Sequence, residues 1–203
     1  MFELISKLIS VLRDAGVLGN RDVVASLSNF ARGLDDLDYR SHMLGELGVN
    51  LSRLGELDDA EELARSVENT EKSEFLRRVA EIEGESGQVA RALPLFSEAR
   101  EAAYLHRFPT QQALALAEIA VSLGVVGKHV EADETWDTAV QLAMKAQHSG
   151  GTDGPEAAGV LLSAVEGFCK RGRIDAAKSV ANAIVFEAPR ERALQAIADS
   201  ARA

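Results

Sequence analysis

The sequence predicts an all-α fold, an α-solenoid of five stacked antiparallel helix hairpins closed by one C-terminal helix. Three observations carry this. Four segments, LSRLGELDDAEELA, IEGESGQVARALPLF, SLGVVGKHVEADETW and FCKRGRIDAAKSVA, each hold a glycine followed five residues later by alanine: Gly55/Ala60, Gly87/Ala92, Gly127/Ala132 and Gly172/Ala177. Flanking apolar positions recur at fixed distances from these pairs. Finally, 46% of the chain is hydrophobic but only 5% aromatic, with Ala and Leu dominant, a composition suited to close-packed helices.

A fifth copy, AGVLGNRDVVASL, is read with Gly19 and Val24 in the paired positions. Sixteen residues before each small residue stands Leu8, Leu44, Leu76, Leu116 or Leu161. Thirteen and twelve before come Val11/Leu12, Leu47/Gly48, Val79/Ala80, Ile119/Ala120 and Ala164/Val165. Four after come Ser28, Ala64, Phe96, Trp136 and Ala181; seven after come Ala31, Val67, Ala99, Ala139 and Ile184. These columns draw one buried stripe on a first helix and another on a second. The glycine between them ends the first helix, because it accepts a left-handed backbone without a side-chain clash. Small residues at Gly48, Ala80 and Ala120 let two backbones approach closely.

The expected helices run roughly 3–15, 21–33, 38–54, 57–68, 71–86, 88–105, 109–126, 129–147, 155–171, 174–186 and 189–202. They group into repeats at about 3–36, 38–70, 71–107, 109–148 and 155–188, with a capping helix at 189–203, and the whole of 1–203 is read as one domain. Glycine spacings of 36, 32, 40 and 45 residues imply a period near 34 with insertions around EAAYLHRFPTQQ and AQHSGGTDGPEAA. The last helix should bury Leu194, Ile197, Ala198 and Ala201 and expose Arg192, Gln195, Asp199 and Arg202.

This layout resembles the tetratricopeptide repeat family over nearly the whole chain. The Leu, Gly/Ala, Gly, Ala, aromatic and Ala columns follow that family's pattern, and Pro189, twelve residues after Ala177, sits where its closing proline belongs; LGELGVNLSRLGELDDAEELARSV is the nearest copy. The chain departs in carrying mostly Leu at the family's first-helix aromatic positions and in lacking the closing proline elsewhere. The resemblance implies a right-handed superhelix whose concave face is lined by first helices, and a role in binding proteins or peptides.

A formal net charge of −10 disfavours nucleic acid and anionic membranes as partners. The acidity is uneven: of 22 Lys/Arg and 32 Asp/Glu, seven and six fall from Pro155 onward. One cysteine, Cys169, excludes an internal disulfide and multi-cysteine metal sites, and fits a reducing, cytoplasmic setting. MFELISKLISVLRDAG is interrupted by Glu3 and Lys7 and is not followed by a small-residue cleavage site, so it does not read as a signal peptide. No apolar run reaches the roughly 18 residues of a membrane span. The chain is either whole or the front of a longer protein.

Several features invite a chemical reading. GKHVEADETW clusters His129, Glu131, Asp133 and Glu134, and His-x-Glu opens the zinc-deaminase signature, but that signature also needs a downstream Pro-Cys-x-x-Cys. In the repeat frame His129 shares the column of Leu57, Val89 and Ile174, so its ring is expected to lean on the neighbouring helix. HSGGTDGP lacks the Gly-Lys-Ser/Thr ending of a phosphate loop and reads as an inter-repeat insertion. Lys170, Arg171 and Arg173 form the densest basic patch, a solvated turn or a docking point for an acidic peptide. Cys169 reads as a packed or groove-facing thiol.

First-helix residues one and five after each column Leu are expected to line a groove: Gly45, Val49, Arg77, Glu81, Ala117, Val121, Leu162 and Glu166, with Gln195 at the end. They do not supply the Lys and Asn set with which members of the resembled family clamp a terminal carboxylate. The leading expectation is a non-enzymatic scaffold binding a protein or peptide, with no cofactor or metal. Self-assembly into homo-oligomers is the alternative, and single-stranded RNA binding follows, disfavoured by the acidity. An enzyme ranks last, since acids such as Glu81 and Glu166 lie on different hairpins.

Overall fold

A computed structural model describes residues 2–148 and 153–202. Among them are eleven α-helices and no strand: α1 Phe2–Asp14, α2 Arg21–Arg32, α3 Leu37–Leu54, α4 Leu57–Arg65, α5 Lys72–Glu85, α6 Val89–Ala102, α7 Pro109–Val125, α8 His129–Ala146, α9 Asp153–Lys170, α10 Ile174–Ala183 and α11 Glu187–Ser200. The chain divides into two compact units, Met1–Leu105 and His106–Ala203, where the sequence alone suggests one domain.

Each unit is built by the same stacking rule. In the first, α3 packs on α4 as a hairpin and also receives α1, α2 and α5; α5 pairs with α6 and is covered by α4. In the second, α7 pairs with α8, both lie against α9, and α10 and α11 complete the stack on α9. No single hairpin buries both of its faces, so each relies on the next.

Four hairpins follow the repeat columns closely. Leu44, Leu76, Leu116 and Leu161 are buried, as are Ala60, Ala92, Ala132 and Ala177 with the residues four and seven beyond them. The turn glycines Gly55, Gly87, Gly127 and Gly172 all take a left-handed φ between 71° and 89°. Each turn makes the same closing bond, the amide after the glycine donating to a carbonyl five residues back: Glu56 to Leu51 (3.1 Å), Gln88 to Glu83 (2.8 Å), Lys128 to Leu123 (2.8 Å) and Arg173 to Phe168 (2.9 Å). At Gly48 a Cβ would come within 2.9 Å of the Ala60 carbonyl, so the small column does let α3 and α4 approach.

The first copy is framed differently from the sequence reading. Gly16, at φ 72°, is its left-handed residue, and Gly19 instead ends a 3-10 turn, Val17–Gly19. Counting from Gly16 places Ile5, Leu8, Ile9 and Leu12 in the columns of Leu44, Leu47, Gly48 and Leu51; Ile9 is buried, whereas Leu8 is exposed because α1 packs chiefly on α3 and the 3-10 turn. The three-residue turn restores the second helix to register, with Val24, Ser28 and Ala31 buried. Other boundaries move as well: α4, α6 and α10 end earlier than expected, at Arg65, Ala102 and Ala183, and two starts shift. α9 begins at Asp153, since Pro155 is tolerated in a first turn, and α11 begins at Glu187 with Pro189 in its first turn. α11 is also rotated from expectation: Ala193 and Ile197 are buried, whereas Leu194, Ala198 and Ala201 are exposed.

Candidate functional site

The second unit carries a groove of about 430 Å³ between α7 and α9. Leu114, Ala117 and Val121 form one wall and Gly159, Val160 and Ser163 the other. Leu114 and Val121 remain about half exposed, at 51% and 54%. Glu118 and Glu156 stand at its edges, and the lining contains no Lys or Arg. The residues alternate on each helix at three- and four-residue spacing, which places one stripe of α7 opposite one stripe of α9.

Beneath the groove lies Trp136 of α8, 1% exposed yet part of the lining. Its indole rests on α9, with Nε1 3.6 Å from the position a Cβ on Gly167 would take. That Nε1–H is buried and has no hydrogen-bond partner among the described residues. An orphaned buried donor costs about 1–3 kcal/mol.

Of the nine residues expected to line a groove, Ala117 and Val121 are brought together here. Glu166 and Gln195 are exposed on α9 and α11, and Leu162 is buried beside the groove's wall. In the first unit, Gly45 and Val49 are buried, and Arg77 and Glu81 form a half-buried ion pair at 3.1 Å. A side chain at Gly45 would meet the Phe75 ring at 2.2 Å, so Phe75 occupies that space. The α9 wall escaped sequence reasoning because it uses residues one and two before and two after the column Leu161, not one and five after. Gly159 and Ser163 did not stand out as a signal, because α9 also carries Gly154, Ala157, Ala158, Ala164 and Gly167.

The remaining candidates resolve into structural roles. His129 is exposed, not packed against a neighbouring helix, because it opens α8 where few residues surround it. Asp133 faces Arg171 at 3.1 Å and Arg173 at 3.0 Å, and both guanidiniums lie over the Phe168 ring. The basic patch is thereby partly neutralised by α8, leaving Lys170 exposed. Cys169 is buried, and burial pushes its thiol up, away from the reactive thiolate. Residues 149–152 of HSGGTDGP lie outside the described residues. No three His, Cys, Asp or Glu side chains among the described residues gather as a metal-holding group, and no described helix is long and apolar enough to cross a membrane.

A larger cleft of about 640 Å³ in the first unit lies between α2 and α4. Each of its cations faces a carboxylate: Arg32 with Glu62 at 3.0 Å, Arg21 with Glu56 at 3.8 Å and Arg91 with Asp58 at 2.6 Å. It is an ionic seam between hairpins, with its cations already engaged.

One buried group does not follow the repeat. Glu83 occupies the column filled by Leu51, Leu123 and Phe168, is fully buried, and neither carboxylate oxygen has a hydrogen bond among the described residues. Burial, then the Glu61 carboxylate, push it up to about 7, against the pull of Arg91, whose Nε stands 3.9 Å away. Arg91 cannot serve Glu83 fully because its Nε already donates to Glu61 at 2.8 Å.

No protein-family model matches the chain, and a search of curated proteins found no match.

Proposed function

We propose that this chain is a non-enzymatic protein-interaction scaffold of tetratricopeptide-like repeats, working in the cytoplasm, whose second unit binds an apolar segment of a partner. The observation that carries the reading is the α7/α9 groove: apolar walls, a buried unpaired indole N–H beneath them, and carboxylates at the edges. Leu114 and Val121 offer aliphatic surface to a partner's side chains, while Gly159 and Ser163 leave depth for them. Glu118 and Glu156 favour Lys or Arg on either side of the inserted residues and disfavour phosphate backbones. An amphipathic helix laid into a groove meets these requirements.

Trp136 is the chain's single tryptophan and so reports on the groove directly. Titration with a short helical peptide bearing leucines on one face and lysines at both edges is expected to shift its emission saturably. Turnover of a small molecule in the groove, with no response to such peptides, would sink the proposal.

A further inference from the structure

We infer that α5 is a proton-operated plug: protons on Glu83 and on His42 hold it in the furrow along α3, and their loss releases it. This does not rest on the groove reading, which concerns the second unit. α5 packs on α3, α4 and α6 and carries Phe75, whose ring fills the space over Gly45. Near its end is Glu83, and directly before its start is Glu71, the partner of His42. The geometry at both places calls for a proton.

At the end of α5, both Glu83 oxygens are buried without a hydrogen bond among the described residues. The charged groups around them are short of cations. α4 supplies Asp58, Glu61 and Arg65, and α6 supplies Arg91 and Glu98. Arg91 donates to Asp58 and Glu61 at 2.6 and 2.8 Å, and Arg65 to Glu61 and Glu98 at 2.9 and 3.0 Å. An ionised Glu83 would make four carboxylates on two guanidiniums. On α3, Glu46 accepts from Arg78 and Arg53 is exposed; on α5 itself, Glu81 is paired with Arg77 and Glu85 is exposed. The neutral acid is therefore the form this site holds best, and ionisation favours a movement that brings water to the carboxyl.

At the start of α5, the Ser6 hydroxyl of α1 donates to the Phe2 carbonyl at 3.3 Å and so meets His42 Nε2, 3.0 Å away, as an acceptor. Glu71 accepts at Nδ1, 3.2 Å away. An acceptor on each ring nitrogen selects the imidazolium. Glu46 on α3 and Glu74 on α5 add negative charge, although Arg78 pairs with both; on α1, Lys7 is taken up by Glu3 at 3.7 Å. Loss of this proton takes the charge out of the bond that ties the start of α5 to α3.

The two ends act in the same direction. Glu83 is pushed up to about 7 from 4.5, chiefly by burial, and His42 is raised above 6.5, chiefly by its bond to Glu71. Both contributions are present at acid pH; one is lost as pH rises through about 7 and the other through the raised His42 value. The second unit has Phe168 and Leu114 at the equivalent positions, so its helices serve as an internal control.

The test is hydrogen exchange of the full chain at about pH 5.5 and about pH 8, read by NMR as protection factors so that the intrinsic rate is removed. α5 amides are expected to lose protection by at least about tenfold at the higher pH, while those of α3, α7 and α9 change by less than about threefold. E83Q, which keeps the shape and cannot ionise, should remove most of the loss, and E83Q/H42Q the rest. If circular dichroism shows E83Q misfolded, E83L replaces it with the same expectation. Unchanged protection in α5, an equal loss in α3, α7 and α9, or a loss that persists in the double variant would overturn the inference.

Discussion

The furrow between α3 and α5 and the groove between α7 and α9 occupy the same place in the repeat, yet one is plugged and the other open. Position for position, His42, Gly45, Glu46 and Val49 correspond to Leu114, Ala117, Glu118 and Val121; across from them Glu71, Glu74, Phe75 and Arg78 correspond to Glu156, Gly159, Val160 and Ser163. In the first unit the Phe75 ring lies against Gly45, and the Arg78 guanidinium lies 5.4 Å over that ring and donates to Glu46 at 2.7 Å. His42 bridges to Glu71 at 3.2 Å. In the second, Val160 and Ser163 are too short to span the gap, and the space stays available. Equivalent positions of the repeat therefore yield a sealed or an open surface according to the side chains that fill them. Open space between first helices is a local property of α7 and α9, and the repeat does not supply it by default.

The largest effect that bears on this contrast is truncation of the plug. Phe75→Ala should cost about 3–5 kcal/mol in urea unfolding, while Val160→Ala at the matching position should cost no more than about 1–2 kcal/mol, because Val160 is smaller and borders an open groove. Equal losses at the two sites would break the comparison.

Next is Glu83, where the first unit buries an acid and the second presents Phe168 at the equivalent position. The folded protein holds Glu83 at about 7, above its ordinary value of 4.5, so its contribution is fully present below pH 4.5 and is lost as pH rises through about 7. The loss amounts to about 3 kcal/mol. Urea unfolding at about pH 5 and pH 8 should show this decline, and Glu83→Leu should abolish it and gain stability at the higher pH. A pH-independent difference between Glu83→Leu and the parent would mean that the carboxyl does not titrate in this window.

The smallest effect lies at His42, raised above 6.5 chiefly by its hydrogen bond to Glu71. Its stabilisation is present below 6.5 and lost as pH rises through the raised value. Glu71→Gln should therefore lower the His42 titration midpoint seen by NMR and cost less than about 1 kcal/mol at acid pH only. An unchanged midpoint would show that the pair does not form.

Much of the fold was legible because helix stacking repeats the same steric demands. A left-handed turn selects Gly55, Gly87, Gly127 and Gly172, and close helix approach selects Gly48 and the alanine columns, so both leave periodic traces. The first copy was misread because Gly19 satisfies the spacing to Val24 while Gly16 makes the turn, and a three-residue 3-10 insertion has no compositional mark. The rotation of α11 was equally silent, since Leu194 and Ala193 fit adjacent stripes. At the groove, one wall followed the column rule and the other did not. Whether a furrow is open depends on the sizes of facing side chains from distant parts of the chain, such as Gly45 with Phe75. A period describes which residues face inward, not how far they reach.

The most direct test of the open groove is to move the plug. In a V160F/S163R variant, which copies Phe75 and Arg78 into α9 with Glu118 in the place of Glu46, titration of Trp136 emission with the leucine- and lysine-bearing helical peptide should show affinity reduced by at least about tenfold, with the urea midpoint kept or raised. Unchanged affinity in a folded variant would contradict the assignment of binding to the space between α7 and α9.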